Sequence, residues 1–142
     1  MKNGIKYVFL GKELGARSNK NDHYDESGKV QYKLLAKDEN FKRGLDRIHD
    51  GQEKGFRIAL MCAEKDPATC HRSILVCKNL KESIDDIRHI LSNDTLEKQE
   101  EMEKRLMSDL NILPDLLRND DDCIEEAYEK QEKKIAYTKA EK

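Results

Sequence analysis

The chain lacks tryptophan, contains only two prolines and has few aromatic side chains, which make up 6% of its 142 residues. It also lacks any apolar run long enough to cross a bilayer, and the apolar stretch near its N-terminus is too short for a signal sequence. We therefore expect a cytoplasmic protein that does not associate with a membrane.

An excess of charge of one sign is also missing. Lys and Arg number 27, Asp and Glu number 29, and the net charge is -2. Overall electrostatics therefore give no reason to expect binding to nucleic acid or to an acidic membrane, so only a local basic site could bind an anion. The length is sufficient for one domain, and charged residues at 39% leave it a modest core.

Cysteines are few and irregularly spaced, at Cys62, Cys70, Cys77 and Cys123. They lack the close pairs of a disulfide framework or a zinc ribbon. We expect reduced thiols, no metal and no cofactor.

The apolar patterns predict an α/β fold. The runs "IKYVFLG" at residues 5–11 and "FRIALMCAE" at residues 56–64 are typical of buried strands, and "IRHIL" at 87–91 is a further candidate strand. The spacing of Phe41, Leu45 and Ile48 predicts a helix over residues 39–50. We expect a small three-layer Rossmann-like domain with a mostly parallel sheet and a right-handed β-α-β unit, in residues 1–92.

Residues 93–142 form a charged, helical extension. Its apolar residues recur at helical spacing, and Pro114 separates two helices. Two interpretations remain open, namely solvated helices that pack on the domain, and helices that bind a partner or form a homo-oligomer. The second would make this a non-catalytic interaction protein. The two stripes consist of Met102, Leu106, Leu110 and Leu113, then Ile124, Tyr128, Gln131 and Ile135.

The segment "MCAEKDPATCHR" at residues 61–72 concentrates reactive side chains at the carboxyl end of the second predicted strand. Asp66 is expected to cap a helix that begins at Pro67, which would leave the amides of residues 68–70 free to bind an anion. The same helix start would stabilise a thiolate, so Cys70 is a candidate nucleophile or redox thiol, and His71 is its candidate proton-transfer partner. Simple packing and capping are the alternatives for both.

Basic side chains could complete an anion site. Arg72 in a first helical turn needs a counter-charge, which could be Glu64, Asp66 or an external anion. The segment "GKELGAR" places Lys12, Glu13 and Arg17 after the first predicted strand, at the same edge of a parallel sheet. We expect an anionic ligand, such as a nucleotide, a phosphate ester or a nucleic-acid end, with ordinary surface ion pairs as the alternative.

Other chemistry is less favoured for this segment. A zinc site would use Cys62, Cys70 and His71, but adjacent helical residues diverge and no fourth ligand is evident. A phosphatase-like loop from Cys62 would be too long to include Arg72. Cys62 is expected to pack at a strand end, and a Cys62–Cys70 redox pair cannot be derived from spacing.

Together, "YVFLGKELGAR", "G.RIALMCAEKDPATCHRS" with its Cys-x7-Cys-His-Arg pattern, and the later "HIL" resemble the bacterial and archaeal family known as domain of unknown function 488. The resemblance covers residues 5 to about 91. It implies a Rossmann-like α/β domain without an established reaction, so enzymatic activity stays open. Family members begin earlier, with a strand-helix-strand segment that we expect this chain to lack.

Overall fold

A computed structural model of the chain describes residues 2–140. Helices predominate in this part of the chain, and they are joined by short 3-10 turns and one π-helical turn. The 3-10 turns are Lys2–Gly4, Asn21–His23 and Pro67–Thr69, and the π-helical turn is Arg72–Cys77. The helices are α1 Gly11–Leu14, α2 Tyr32–Lys37, α3 Glu39–Glu53, α4 Lys78–Leu80, α5 Gln99–Asp109 and α6 Asp120–Ile135.

The sheet is small and antiparallel. Within residues 2–140, the strands β1 Arg88–Ile90 and β2 Leu96–Lys98 form the only ladder, with His89 opposite Glu97. The expected three-layer Rossmann-like domain with a mostly parallel sheet is therefore wrong, as is the β-α-β unit. The prediction of a strand at residues 87–91 is confirmed by β1.

The physical reason for this error lies in residues 5–10 and 56–62. These segments have the apolar, β-branched and aromatic composition of strands, but a strand also needs a neighbour that accepts and donates its hydrogen bonds. Neither segment pairs with another strand among the described residues. Composition therefore identified apolar segments that resemble strands without showing that anything would pair with them.

The helix predictions from periodicity are confirmed. Helix α3 begins after Asp38, whose carboxylate accepts a hydrogen bond from the Asn40 amide at 2.8 Å. Helix α6 begins after Asn119, which caps the Asp122 amide at 2.9 Å. These caps satisfy amides that lack partners within the helix.

Helices α5 and α6 bury the central members of their predicted stripes. Met102 and Leu106 in α5 and Tyr128 in α6 are all buried, whereas Leu113 lies beyond the end of α5 and is exposed. They join one hydrophobic core with residues that precede position 92, including Leu75. Both expected parts of the chain thus contribute to one core, although their outer ends, residues 1 and 141–142, lie outside the described residues.

A buried polar network connects these helices. Tyr128 Oη donates to a carboxylate oxygen of Glu103 and accepts from Gln99 Nε2 at 2.8 Å. Gln99 Oε1 lies 2.6 Å from His89 Nε2, and Lys81 Nζ reaches Glu103 at 2.6 Å. Since every buried side-chain nitrogen and oxygen among the described residues has a partner, the network fixes how β1, α5 and α6 pack.

Candidate functional site at the turn of residues 62–72

Asp66 caps a turn that begins at Pro67, as expected, but the turn is a 3-10 turn that ends at Thr69. Cys70 is extended, so the expected helix start that would stabilise its thiolate is not formed. The Asp66 carboxylate accepts a hydrogen bond from the Ala68 amide at 3.0 Å. The Thr69 amide donates to the Asp66 carbonyl, and the Cys70 amide donates to the Pro67 carbonyl. The three amides that we expected to face a ligand are therefore bonded within the turn, and an anion here would have to be bound by side chains.

The turn brings two cysteines together. Cys62 and Cys70 are joined through their sulfur atoms, with α-carbons 7.6 Å apart. Cys70 is 1% exposed and Cys62 is half-buried, whereas Cys77 and Cys123 are buried free thiols. Sequence spacing did not show that residues 62–70 fold back on themselves and bring these two sulfur atoms together.

Two arginines are half-buried among the described residues, Arg72 and Arg105, and they differ in their partners. Arg105 donates to Glu97 at 2.7 Å and to Asp66 at 2.9 Å. Within residues 2–140 the Arg72 side chain has no ion pair and no hydrogen bond; only its backbone amide donates, to Cys70 Sγ at 3.3 Å. Because a partly desolvated cation is unfavourable without a counter-charge, Arg72 is suited to an external anion.

Arg72 and Glu64 are both close enough to His71 to act on it electrostatically. Burial lowers the pKa of His71, the positive charge of Arg72 lowers it further, and Glu64 opposes both effects. A neutral imidazole is therefore favoured beside the arginine. Such a group can accept or donate a proton near neutral pH.

The structure does not bring the "GKELGAR" side chains to this turn through any described contact. Glu13 pairs with Arg47 of α3 at 3.1 Å, and the Lys12 carbonyl accepts from Asn40 Nδ2 at 2.7 Å. Arg17 stacks over the ring of Tyr137 at 4.1 Å. The positive pocket expected from a shared sheet edge depended on parallel strands, which are absent from the described residues.

Side chains of helices α5 and α6 bind the turn of residues 62–72. The sequence did not reveal these contacts. Gln131 Nε2 in α6 donates to the Ala68 carbonyl at 2.6 Å. Arg105 in α5 holds the pKa of the Asp66 carboxyl below its usual range. Beside them lies a shallow depression of about 330 Å³, lined by Lys65, Asp66, Pro67, Leu91, Ser92, Asn93 and Arg105. Gln131, the one polar member of the α6 stripe, was the only available signal.

Comparison with known proteins identifies the family. The model of the domain of unknown function DUF488 matches residues 1–78, so the chain belongs to that family. No curated protein and no solved structure matches the chain. Within residues 2–140, no group of three His, Cys, Asp or Glu side chains could hold a metal ion, and no helix has the length and apolar character needed to cross a bilayer.

Proposed function

We propose that the turn of residues 62–72 binds an anionic ligand through Arg72. The observation that carries the proposal is the half-buried Arg72 side chain, which has no carboxylate partner among residues 2–140, while Arg105 nearby has at least two. A guanidinium binds phosphate in a planar, bidentate geometry, so a nucleotide, a phosphate ester or a nucleic-acid end fits its chemistry. His71 and the cysteine pair flank the arginine, and Glu64 acts electrostatically on His71. Lys12, Glu13 and Arg17 are not required.

The experiment titrates the protein with adenosine triphosphate, inorganic phosphate and a 5′-phosphorylated hexanucleotide, with amide chemical shifts as the readout. Substituting Arg72→Gln should weaken binding at least tenfold. Arg43→Gln is the matched control, because Arg43 is exposed and also lacks a carboxylate partner. Equal binding by wild type and Arg72→Gln, or no binding of any probe at millimolar concentration, would overturn the proposal. The three probes distinguish the ligand classes.

A second candidate function is thiol-disulfide exchange at Cys62 and Cys70, which the contact between the two sulfur atoms favours. An incoming thiolate would attack Cys62, because its side chain is the more exposed of the two. The new bond forms at Cys62 Sγ, the Cys62–Cys70 bond breaks, and Cys70 departs as a thiolate that takes a proton. A second thiolate then releases Cys62, and two external thiols become one external disulfide. We assign the transfer of this proton to His71, which directly follows Cys70 in the chain.

This candidate is tested with reduced glutathione as the probe. Limited reaction followed by acid quenching and peptide mass spectrometry should find glutathione on Cys62. In addition, His71→Gln should slow the release of Cys70 without changing the site of attack. Glutathione mainly on Cys70, or a pair that resists millimolar glutathione, would contradict the assignment.

A further inference from the structure

Two segments of the chain contain most of the large apolar side chains that are exposed among the described residues. Among the described residues, seven of the twelve exposed large apolar residues lie in residues 5–9 and 56–61. These seven have between 44% and 84% of their surface exposed. Clusters of this kind mark interaction surfaces, whereas single exposed apolar residues need no explanation. The seven are Ile5, Tyr7, Val8, Phe9, Phe56, Ile58 and Met61.

The backbone of both segments is also available for pairing. Within the described residues, the amides and carbonyls of residues 6–9 and 57–61 make no hydrogen bond to other parts of the chain. Apolar, β-branched and aromatic sequence with unpaired backbone groups is the template on which another strand adds. These segments therefore offer both parts of a strand interface.

We propose that the two segments are the dimer interface of this protein, with residues 5–9 of one copy paired to residues 56–60 of a second copy. A two-fold axis repeats the contact, so one dimer provides backbone hydrogen-bond partners for all four segments, two from each copy. The net charge of -2 per chain opposes such association only weakly. This proposal is independent of the anion site at Arg72.

The exposed area is sufficient for a stable dimer. If a large side chain has a total surface of about 200 Å², the exposed fractions of the seven residues amount to roughly 900 Å² per copy. A standard protein interface buries about 800 Å² on each partner. The apolar stripes of α5 and α6 are largely buried in the core instead, so the expected self-association through the C-terminal helices has less free apolar surface available.

The pattern of side chains predicts both orientation and register. Alternate residues share one face of a strand, so Ile5, Tyr7 and Phe9 form one apolar face, and Phe56, Ile58 and Leu60 form another. An antiparallel alignment that pairs position 5 with position 60 brings these faces together, and it places Tyr7 opposite Ile58 and Phe9 opposite Phe56. Such aromatic and β-branched cross-strand pairs stabilise sheets.

The charged residues favour the antiparallel arrangement. In this register Val8 lies opposite Arg57, and Lys6 lies opposite Ala59. In the parallel alignment of the same two faces, Lys6 would lie opposite Arg57, and like charges placed directly opposite each other are destabilising. The orientation is therefore testable by changing one charge at a time.

The first experiment measures sedimentation equilibrium over micromolar to millimolar concentrations of the full chain. We expect a monomer-dimer equilibrium, and Ile58→Lys should weaken dimerisation at least tenfold. Leu116→Lys is the control, because Leu116 is also an exposed apolar residue but lies outside both segments. Circular dichroism verifies that each variant keeps its helices. A wild-type monomer at all concentrations, or equal effects of both variants, would overturn the proposal, and a monomer that instead binds a different protein would point to another occupant.

The second experiment tests the arrangement. Val8→Glu should tighten the dimer because it places a carboxylate opposite Arg57, while Lys6→Glu should leave it nearly unchanged. The opposite result would indicate parallel strands and contradict the proposed register. A photo-crosslinker at position 7, in a mixture of light and heavy isotope-labelled chains, should join the two copies near Ile58. Crosslinks confined to single chains would overturn the exchange of segments.

Discussion

Two regions of the chain have apolar patterns of similar strength but differ in how far they bury their side chains. One consists of the front segments, residues 5–10 and 56–62, and the other of the C-terminal helices α5 and α6. The helices bury theirs, with Met102 fully buried and Tyr128 only 2% exposed, whereas Ile5 and Met61 remain 75% and 84% exposed. A helix satisfies its backbone within itself and needs only one apolar surface to pack on, whereas a strand must also find a hydrogen-bonding neighbour. In this chain an apolar pattern therefore predicted burial for the helices but not for the two segments that resemble strands.

The sharpest way to break this comparison is to truncate one side chain from each region. Met102→Ala should cost about 2–5 kcal/mol of unfolding free energy, because it removes buried contacts and leaves a cavity. Phe56→Ala should change the unfolding free energy by less than about 0.5 kcal/mol. Urea unfolding measures both changes in free energy. The protein concentration is kept micromolar, below the range in which the dimer forms. Similar losses in the two variants would mean that residues 56–62 pack as tightly as α5.

The comparison extends to tyrosine hydroxyl groups. Tyr128→Phe should cost about 1–3 kcal/mol, because Gln99 and Glu103 each lose a buried hydrogen bond. Tyr7→Phe removes a hydroxyl from an exposed ring and should leave the stability unchanged. The same urea titrations report both values. An unaltered midpoint for Tyr128→Phe would show that the network contributes little to stability.

The smallest effect concerns pH, and it involves only the region that packs. Burial lowers the pKa of His89, as do the charges of Arg72 and Arg105, while a hydrogen bond to Gln99 and the charge of Glu97 oppose them. The unfolded state therefore binds more protons, so stability is complete above pH of about 6.5 and is lost as the pH falls through the lowered pKa. Thermal unfolding from pH 8 to pH 5 should show this loss, and His89→Gln should reduce its slope. An identical slope in wild type and variant would count against this origin.

Local signals in the sequence were reliable where the interactions themselves are local. The spacing of Phe41, Leu45 and Ile48 correctly predicted α3, because helix hydrogen bonds and side-chain stripes depend on residues three or four apart. Asp66 and Pro67 likewise predicted their cap, which involves only the following residues. The Cys-x7-Cys-His-Arg pattern led to the correct family, which a model over residues 1–78 shows.

The candidate site was harder to predict because its decisive contacts are distant in sequence. Nothing near Arg105 indicated that it would pair with Asp66, 39 residues away, and leave Arg72 without a carboxylate. The sequence favours Cys62 as a packing residue and Cys70 as the reactive thiol, whereas Cys70 is 1% exposed and Cys62 is half-buried. The roles proposed for these residues stay predictions until the ligand and thiol experiments are done.

By itself, the sequence determined the long helices, the cap at Asp66 and the membership of the family, because each depends on neighbouring residues or on a contiguous motif. The tertiary structure decided that Cys62 meets Cys70, that Arg105 rather than Arg72 is neutralised, and that residues 5–10 and 56–62 form no ladder within the described chain. These outcomes depend on which groups, distant in sequence, come within a few ångströms of each other. Burial strengthens their interactions and raises the cost of leaving a group without a partner.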